Sequence, residues 1–164
     1  LISGEFGGSP LVIGLIMSTA SIATAITSAR LGVLARRFSE KTLLAAGYVF
    51  FAVSLASVPF ASNTWKLIPP AIIYGVGSGL NIPNIIGLLA RFAPLNQRAA
   101  VMSINGMVLR LGQTLGPVIM AAVYAAWGLN AVFYAGAIFT LGMCVLAVIM
   151  IRQPEDRGAQ RRPA

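Results

Sequence analysis

Residues 96–120 read NQRAAVMSINGMVLRLGQTLGPVIM, and this stretch decides what kind of chain it sits in. It leaves a polar boundary, enters an apolar run and carries one arginine, Arg110, deep inside that run. At about 100° per residue, the helical period, its side chains sort into three arcs. Ser103, Gly106, Arg110, Gln113, Thr114 and Pro117 share one arc, and Asn105, Gly112 and Gly116 a second, about a third of a turn away. Met107, Val108, Leu111, Leu115, Val118 and Ile119 fill the rest. The pattern predicts a membrane helix with a wet face, a close-packing face and a lipid face.

The remaining apolar runs extend that reading to the whole chain. Of 164 residues, 57% are hydrophobic and 10% charged, with a mean hydropathy of +0.83; soluble domains carry about 25% charged residues. Residues 10–29, 42–62, 67–90 and 129–151 hold no charge, and 99–127 holds only Arg110. Each run reaches the roughly 20 residues that cross a hydrocarbon core about 30 Å thick. A helix satisfies its own backbone there, which is what lipid demands. The expected fold class is therefore all-α integral membrane, with five transmembrane helices and a solvated tail at 152–164. The alternating segments of about 10 residues that mark a barrel are not seen.

Charge placement gives a topology. The net charge is +8. Arg30, Arg36, Arg37, Lys41, Arg91, Arg98, Arg152, Arg157, Arg161 and Arg162 fall on one side of the expected spans, and Lys66 alone on the other. This positive-inside asymmetry places the N-terminus outside and the C-terminus in the cytoplasm of an inner (plasma) membrane. It accounts for the basic balance without nucleic acid. There is no histidine, one cysteine (Cys144), and the acids Glu5, Glu40, Glu155 and Asp156 all lie outside the spans. No metal site, cofactor, intrachain disulfide or acid–base pair at membrane depth can be assembled. The chain reads as a non-enzyme.

Taken in order, the spans differ in character. The chain opens at Leu1 with a Gly/Ser-rich loop, 1–9, with no initiator Met or basic leader, and the expectation is that further sequence precedes it. The first span aligns Gly14, Ser18, Ser21, Ala25 and Ser28, which favours close helix packing over a pathway role. The second is bland apart from Tyr48, Ser54 and Ser57 and reads as lipid-facing. The third has a small-residue ridge, Gly75, Gly79, Pro83 and Gly87, kinked at the proline. Tyr74, Gly77, Ser78, Asn81 and Asn84 form a polar stripe on another of its sides. Two asparagines at membrane depth need either carbonyls across a helix pair or a hydrated cavity.

Arg110 lies roughly 16 Å beyond the edge at Ala99, where an arginine costs about 2.5–3.5 kcal/mol on insertion scales. It either donates to carbonyls freed at Pro83 or to an acid elsewhere, or it presents a fixed charge to a solute or a proton site. The fifth span is again bland, with Tyr134, Thr140 and Cys144.

Two motifs carry a family resemblance. Gly32, Leu34, Ala35, Arg37 and Lys41 match the loop signature G-x-L-A-D-R-x-G-R-K of the major facilitator superfamily. Arg36 stands at its acid, Ser39 at its second glycine and Glu40 at a basic position. Gly112, Gly116 and Pro117 resemble the core of the antiporter motif G-x-x-x-G-P-x-x-G-G, with Met120 and Ala121 at its last two glycines. The order polar, bland, polar, polar, bland is similar to helices eight to twelve of that family, part of its C-terminal six-helix bundle.

The resemblance implies a drug:proton antiporter type exporter of small molecules, working by alternating access in a lipid bilayer. It would act with N-terminal helices that are missing here, and those helices would carry any proton coupling. The substrate pathway would use Tyr74, Ser78, Asn81, Asn84, Ser103, Arg110, Gln113 and Thr114. Packing and gating would use Gly32, Gly75, Gly79, Pro83, Gly112, Gly116 and Pro117. The alternatives are a small self-assembling membrane channel or scaffold, and a truncated product without activity of its own.

Overall fold

Proline, serine and glycine punctuate the chain into helices. A computed structural model describes residues 10–61 and 63–150; the expected loop at 1–9 and tail at 152–164 lie outside the described residues. Helix α1 (Pro10–Arg37) opens on a proline, whose missing N–H costs nothing in a first turn. Helix α2 (Glu40–Ser57) is capped by Ser39, whose Oγ accepts from the Thr42 N–H at 3.2 Å. Two short 3-10 turns, Val58–Phe60 and Thr64–Leu67, lead into α3 (Ile68–Phe92). That helix ends where Ala93 turns extended before Pro94.

The last helical run, Arg98–Met150, is 53 residues long. A straight helix of that length would measure about 80 Å, more than twice the hydrocarbon core. Gly128, at φ 79°, ψ −177°, breaks it into α4 (98–127) and α5 (129–150). Only glycine adopts that backbone without strain. Every described helix is long and apolar enough to span, and no strand occurs among the described residues.

The extent of α1 and the setting of α2 differ from the expectation. The segment 30–41 reads as a loop in the sequence, yet α1 runs on to Arg37 and only Phe38 and Ser39 link it to α2. Leucine, alanine and arginine are strong helix formers, and Arg36 and Arg37 sit favourably in the last turn against the helix dipole. The second span was expected to face lipid. Instead α2 buries Leu43, Leu44, Gly47, Ala52 and Ser54, packed between α3 and α5. Its blandness is that of small and aliphatic residues filling a helix junction.

Helix α3 is the hub, with α1 and α2 on two of its sides. Toward α1 it presents Gly75 and Gly79; a Cβ on Gly75 would lie 2.3 Å from the Ala20 carbonyl oxygen, and one on Gly79 2.7 Å from that of Thr24. Backbones this close allow side chain to carbonyl bonds across the seam. Thr24 Oγ1 donates toward Gly75 O at 3.0 Å, sharing its proton with Ala20 O at 2.9 Å, and Ser28 Oγ donates to Gly79 O at 3.3 Å.

The second of these bonds has a specific cause. Pro83 has no N–H to offer the carbonyl four residues back, which is that of Gly79. An unsatisfied carbonyl in hydrocarbon costs several kcal/mol, and Ser28 supplies the missing donor. The α1 packing face is therefore Ala20, Ala23, Thr24, Thr27 and Ser28. Of the stripe expected to pack, only Ser28 takes part; Gly14, Ser18, Ser21 and Ala25 are exposed. The glycine ridge ends before Gly87, where a Cβ would meet nothing within 4 Å.

Candidate functional site

The polar stripes of α3 and α4 are placed very differently. On α3 the stripe lies mostly in a helix junction. Asn84 is 7% exposed and its Nδ2 donates to the Glu40 carbonyl of α2 at 2.9 Å, the first of the two ways an intramembrane asparagine can be satisfied. Ser78 is buried as well. Gly77 lets α2 approach, since a Cβ there would sit 2.9 Å from the Gly47 carbonyl oxygen. Gly47 in turn makes room for the Asn81 side chain, whose Oδ1 is 2.6 Å from where a Gly47 Cβ would be. Asn81 is 2% exposed, and neither its Oδ1 nor its Nδ2 has a hydrogen-bond partner. Tyr74 sits at the edge of this seam, half exposed, its ring 5.0 Å from that of Phe51 and tilted by 45°.

On α4 the stripe is open. Ser103, Arg110, Gln113, Thr114 and Pro117 are exposed and Gly106 partly so. Arg110 Nη1 reaches Gln113 Oε1 at 3.5 Å, and Thr114 Oγ1 donates to the Arg110 carbonyl at 3.0 Å. Both bonds stay within α4. The idea that Arg110 serves a carbonyl freed at Pro83 is corrected by the geometry, because that carbonyl already has Ser28. What remains is a guanidinium 12 residues into a helix, about 18 Å from its start at 1.5 Å per residue, held toward open space by a glutamine one turn on.

Gly112 and Gly116 also face open space: a Cβ on either would meet no described atom within 4 Å. The structure does not bring the α3 and α4 stripes together, and the hydrogen bonds of each are made elsewhere. Gly32 is likewise exposed on the extended part of α1.

Several contributing residues carried little signal in the sequence. Thr24, which donates toward Gly75, stood outside the stripe expected to pack; Ser28 stood within it, but its acceptor is identified only by Pro83, which leaves the Gly79 carbonyl without its helical donor. Glu40 reaches across to pair with Arg91 at the basic end, joining the first turn of α2 to the last turn of α3. At the opposite end, Ile16, Ala20, Ser54, Pro70, Tyr74 and Phe133 line part of an apolar cavity of about 530 Å³ between α1, α2, α3 and α5. It is of the size that holds a small molecule.

Comparison with known proteins agrees with this architecture. The family model described as "Major Facilitator Superfamily" matches residues 1–164. Among curated relatives, the multidrug resistance protein MdtG of Erwinia billingiae is 28% identical over 158 residues, covering 96% of this chain and 38% of its own length. The multi-drug resistance efflux pump PmrA of Streptococcus pneumoniae is 26% identical over 141 residues, 86% of this chain and 35% of its own. A probable chloroplastic anion transporter of Oryza sativa is 27% identical over 135 residues, 81% of this chain and 23% of its own. The chain spans well under half the length of the curated relatives it matches.

Proposed function

Because this chain belongs to the major facilitator superfamily, a family of transporters, we propose that it is the part of a secondary active exporter that supplies one wall of the solute pathway. In this reading it works by alternating access, together with the helices its relatives carry beyond the matched region. Its solutes are drugs or small amphipathic metabolites, as the names of the multidrug relatives suggest. The basic ends of the helices face the cytoplasm.

One observation carries the proposal: a charged side chain, Arg110, stands at the middle of the apolar helix α4 on the same side as Ser103, Gln113 and Thr114, and among the described residues its guanidinium meets only Gln113 of its own helix. The guanidinium, Gln113, Thr114 and Ser103 would meet solute, with Tyr74 contributing from α3. Ser78, Asn81 and Asn84 would act from the α2–α3 seam, setting the position of α3. Gly112 and Gly116, where a Cβ would meet no described atom within 4 Å, and the exposed Pro117 would pack against helices beyond this chain.

The test is efflux from cells expressing the full-length transporter with Arg110→Gln or Arg110→Lys. Both variants should reach the membrane at normal abundance. Transport should be lost with glutamine, which removes the charge, and partly kept with lysine, which keeps the charge but not the planar fork. Normal transport by Arg110→Gln, or failure of both variants to accumulate, would remove Arg110 from the pathway. Solute flux through a reconstituted 164-residue chain alone would favour the self-assembling channel.

A further inference from the structure

The extension of α1 past the expected span creates a surface with no role in the reading above. Its 28 residues measure about 42 Å, roughly 12 Å more than the hydrocarbon core; with the charge-free residues 10–29 crossing that core, the last two turns reach into a headgroup layer. On those turns Arg30, Val33, Arg36 and Arg37 fall within one arc of about 120° at the helical period, and all four are exposed. Leu31 and Leu34 turn the other way and are half-buried. Phe38 follows, 53% exposed, and Lys41 is the second residue of α2. The nearest carboxylate in sequence, Glu40, is engaged by Arg91. Among the described residues the three arginines therefore have no acidic partner. Arginines alternating with exposed valine and phenylalanine suit a boundary where phosphate lies above acyl chain.

We propose that the end of α1, with Phe38 and Lys41, binds the phosphate of an anionic membrane phospholipid. Guanidinium groups bind phosphate oxygens in a bidentate fork, and Val33 and Phe38 lie against the upper acyl chains. The lipid would anchor the two-residue α1–α2 link at the membrane surface and hold the end of α1 in place beside the Glu40–Arg91 pair. The proposal depends on the membrane-spanning fold alone and not on the transport role of Arg110.

The test is native mass spectrometry of the full chain in detergent, titrated with phosphatidylglycerol or phosphatidylcholine. Phosphatidylglycerol should be retained preferentially. Arg36→Gln with Arg37→Gln should weaken retention by about fivefold per charge removed, on the order of 25-fold together. Arg36→Lys with Arg37→Lys should keep most of it, and Lys66→Gln, which removes one charge at the opposite end, should leave it unchanged. Soluble glycerol phosphate in excess should not displace the lipid. Should the glutamine pair fail to fold, salt titration of the unaltered chain decides, because retention must fall as salt rises. Equal retention by the glutamine pair, equal binding of phosphatidylcholine, displacement by glycerol phosphate, or indifference to salt would each overturn the proposal.

Discussion

Replacing Gly75 by alanine sets two opposed effects against each other, and the geometry decides between them. Alanine favours helix over glycine by about 1 kcal/mol. Its Cβ, however, would stand 2.3 Å from the Ala20 carbonyl oxygen and 2.8 Å from the Ala23 Cβ. These are backbone and near-backbone atoms that cannot swing aside. Relief requires α1 and α3 to separate by about 1 Å, to an ordinary contact of about 3.4 Å. That shift would stretch the Thr24 and Ser28 bonds, now 3.0 and 3.3 Å, out of hydrogen-bond range. Interhelical bonds in membranes average about 0.6 kcal/mol and reach about 1.7. The Gly79 carbonyl adds about 1–3 kcal/mol when left unsatisfied. The expected net effect is a loss of roughly 1–3 kcal/mol after the helix-propensity gain. Gly87→Ala is the internal control: a Cβ there meets nothing within 4 Å, so only the propensity gain should appear. Equilibrium unfolding in mixed micelles, with membrane abundance alongside, reads both. A Gly75→Ala variant as stable as Gly87→Ala would refute the close seam between α1 and α3.

Further predictions follow from single contacts. Ser28→Ala should cost about 1 kcal/mol and much less in a Pro83→Ala background, where residue 83 again donates to Gly79; a double-mutant cycle in the same unfolding assay measures the coupling, and additivity would detach Ser28 from the proline. Gly47→Ala should destabilise by crowding Asn81, and Asn81→Ala should relieve it while being nearly neutral alone, because its amide has no partner to lose; a marked loss from Asn81→Ala alone would mean that the amide is satisfied. Glu40→Gln should cost under about 1 kcal/mol, since the pair is largely exposed, with Arg91 at 65%. That loss should shrink in high salt, and a salt-independent loss would point to the backbone bond from Asn84 instead.

The five helices were legible because membrane spans announce themselves by length and absence of charge, and Gly128 is the residue between the expected spans 99–127 and 129–151. What the sequence under-determined was direction. A stripe at helical spacing says which residues share a side, not what covers that side. Gly14, Ser18, Ser21 and Ala25 have the same small-residue character as Ala20, Ala23, Thr24 and Thr27, and the close approach of Gly75 and Gly79 on α3 selects the second set. Asn81 and Asn84 were polar enough to suggest a cavity, yet glycines on both partners let them sink into a helix junction. The extent of α1 was missed because arginines near a span end read as loop, although arginine is a good helix former. Arg110 lay in the open for a simpler reason: among the described residues its stripe has no neighbour to cover it.

Substrate protection decides whether the α4 stripe faces the solute pathway. In a Cys144→Ser background of the full-length transporter, single cysteines at Gln113 and Leu115 are exposed to a small hydrophilic thiol reagent, with and without a transported solute. If it does, the Gln113→Cys variant is labelled rapidly and more slowly on adding solute, and the Leu115→Cys variant is labelled slowly whether or not solute is present. Equal labelling of the two, or protection confined to position 115, would contradict it.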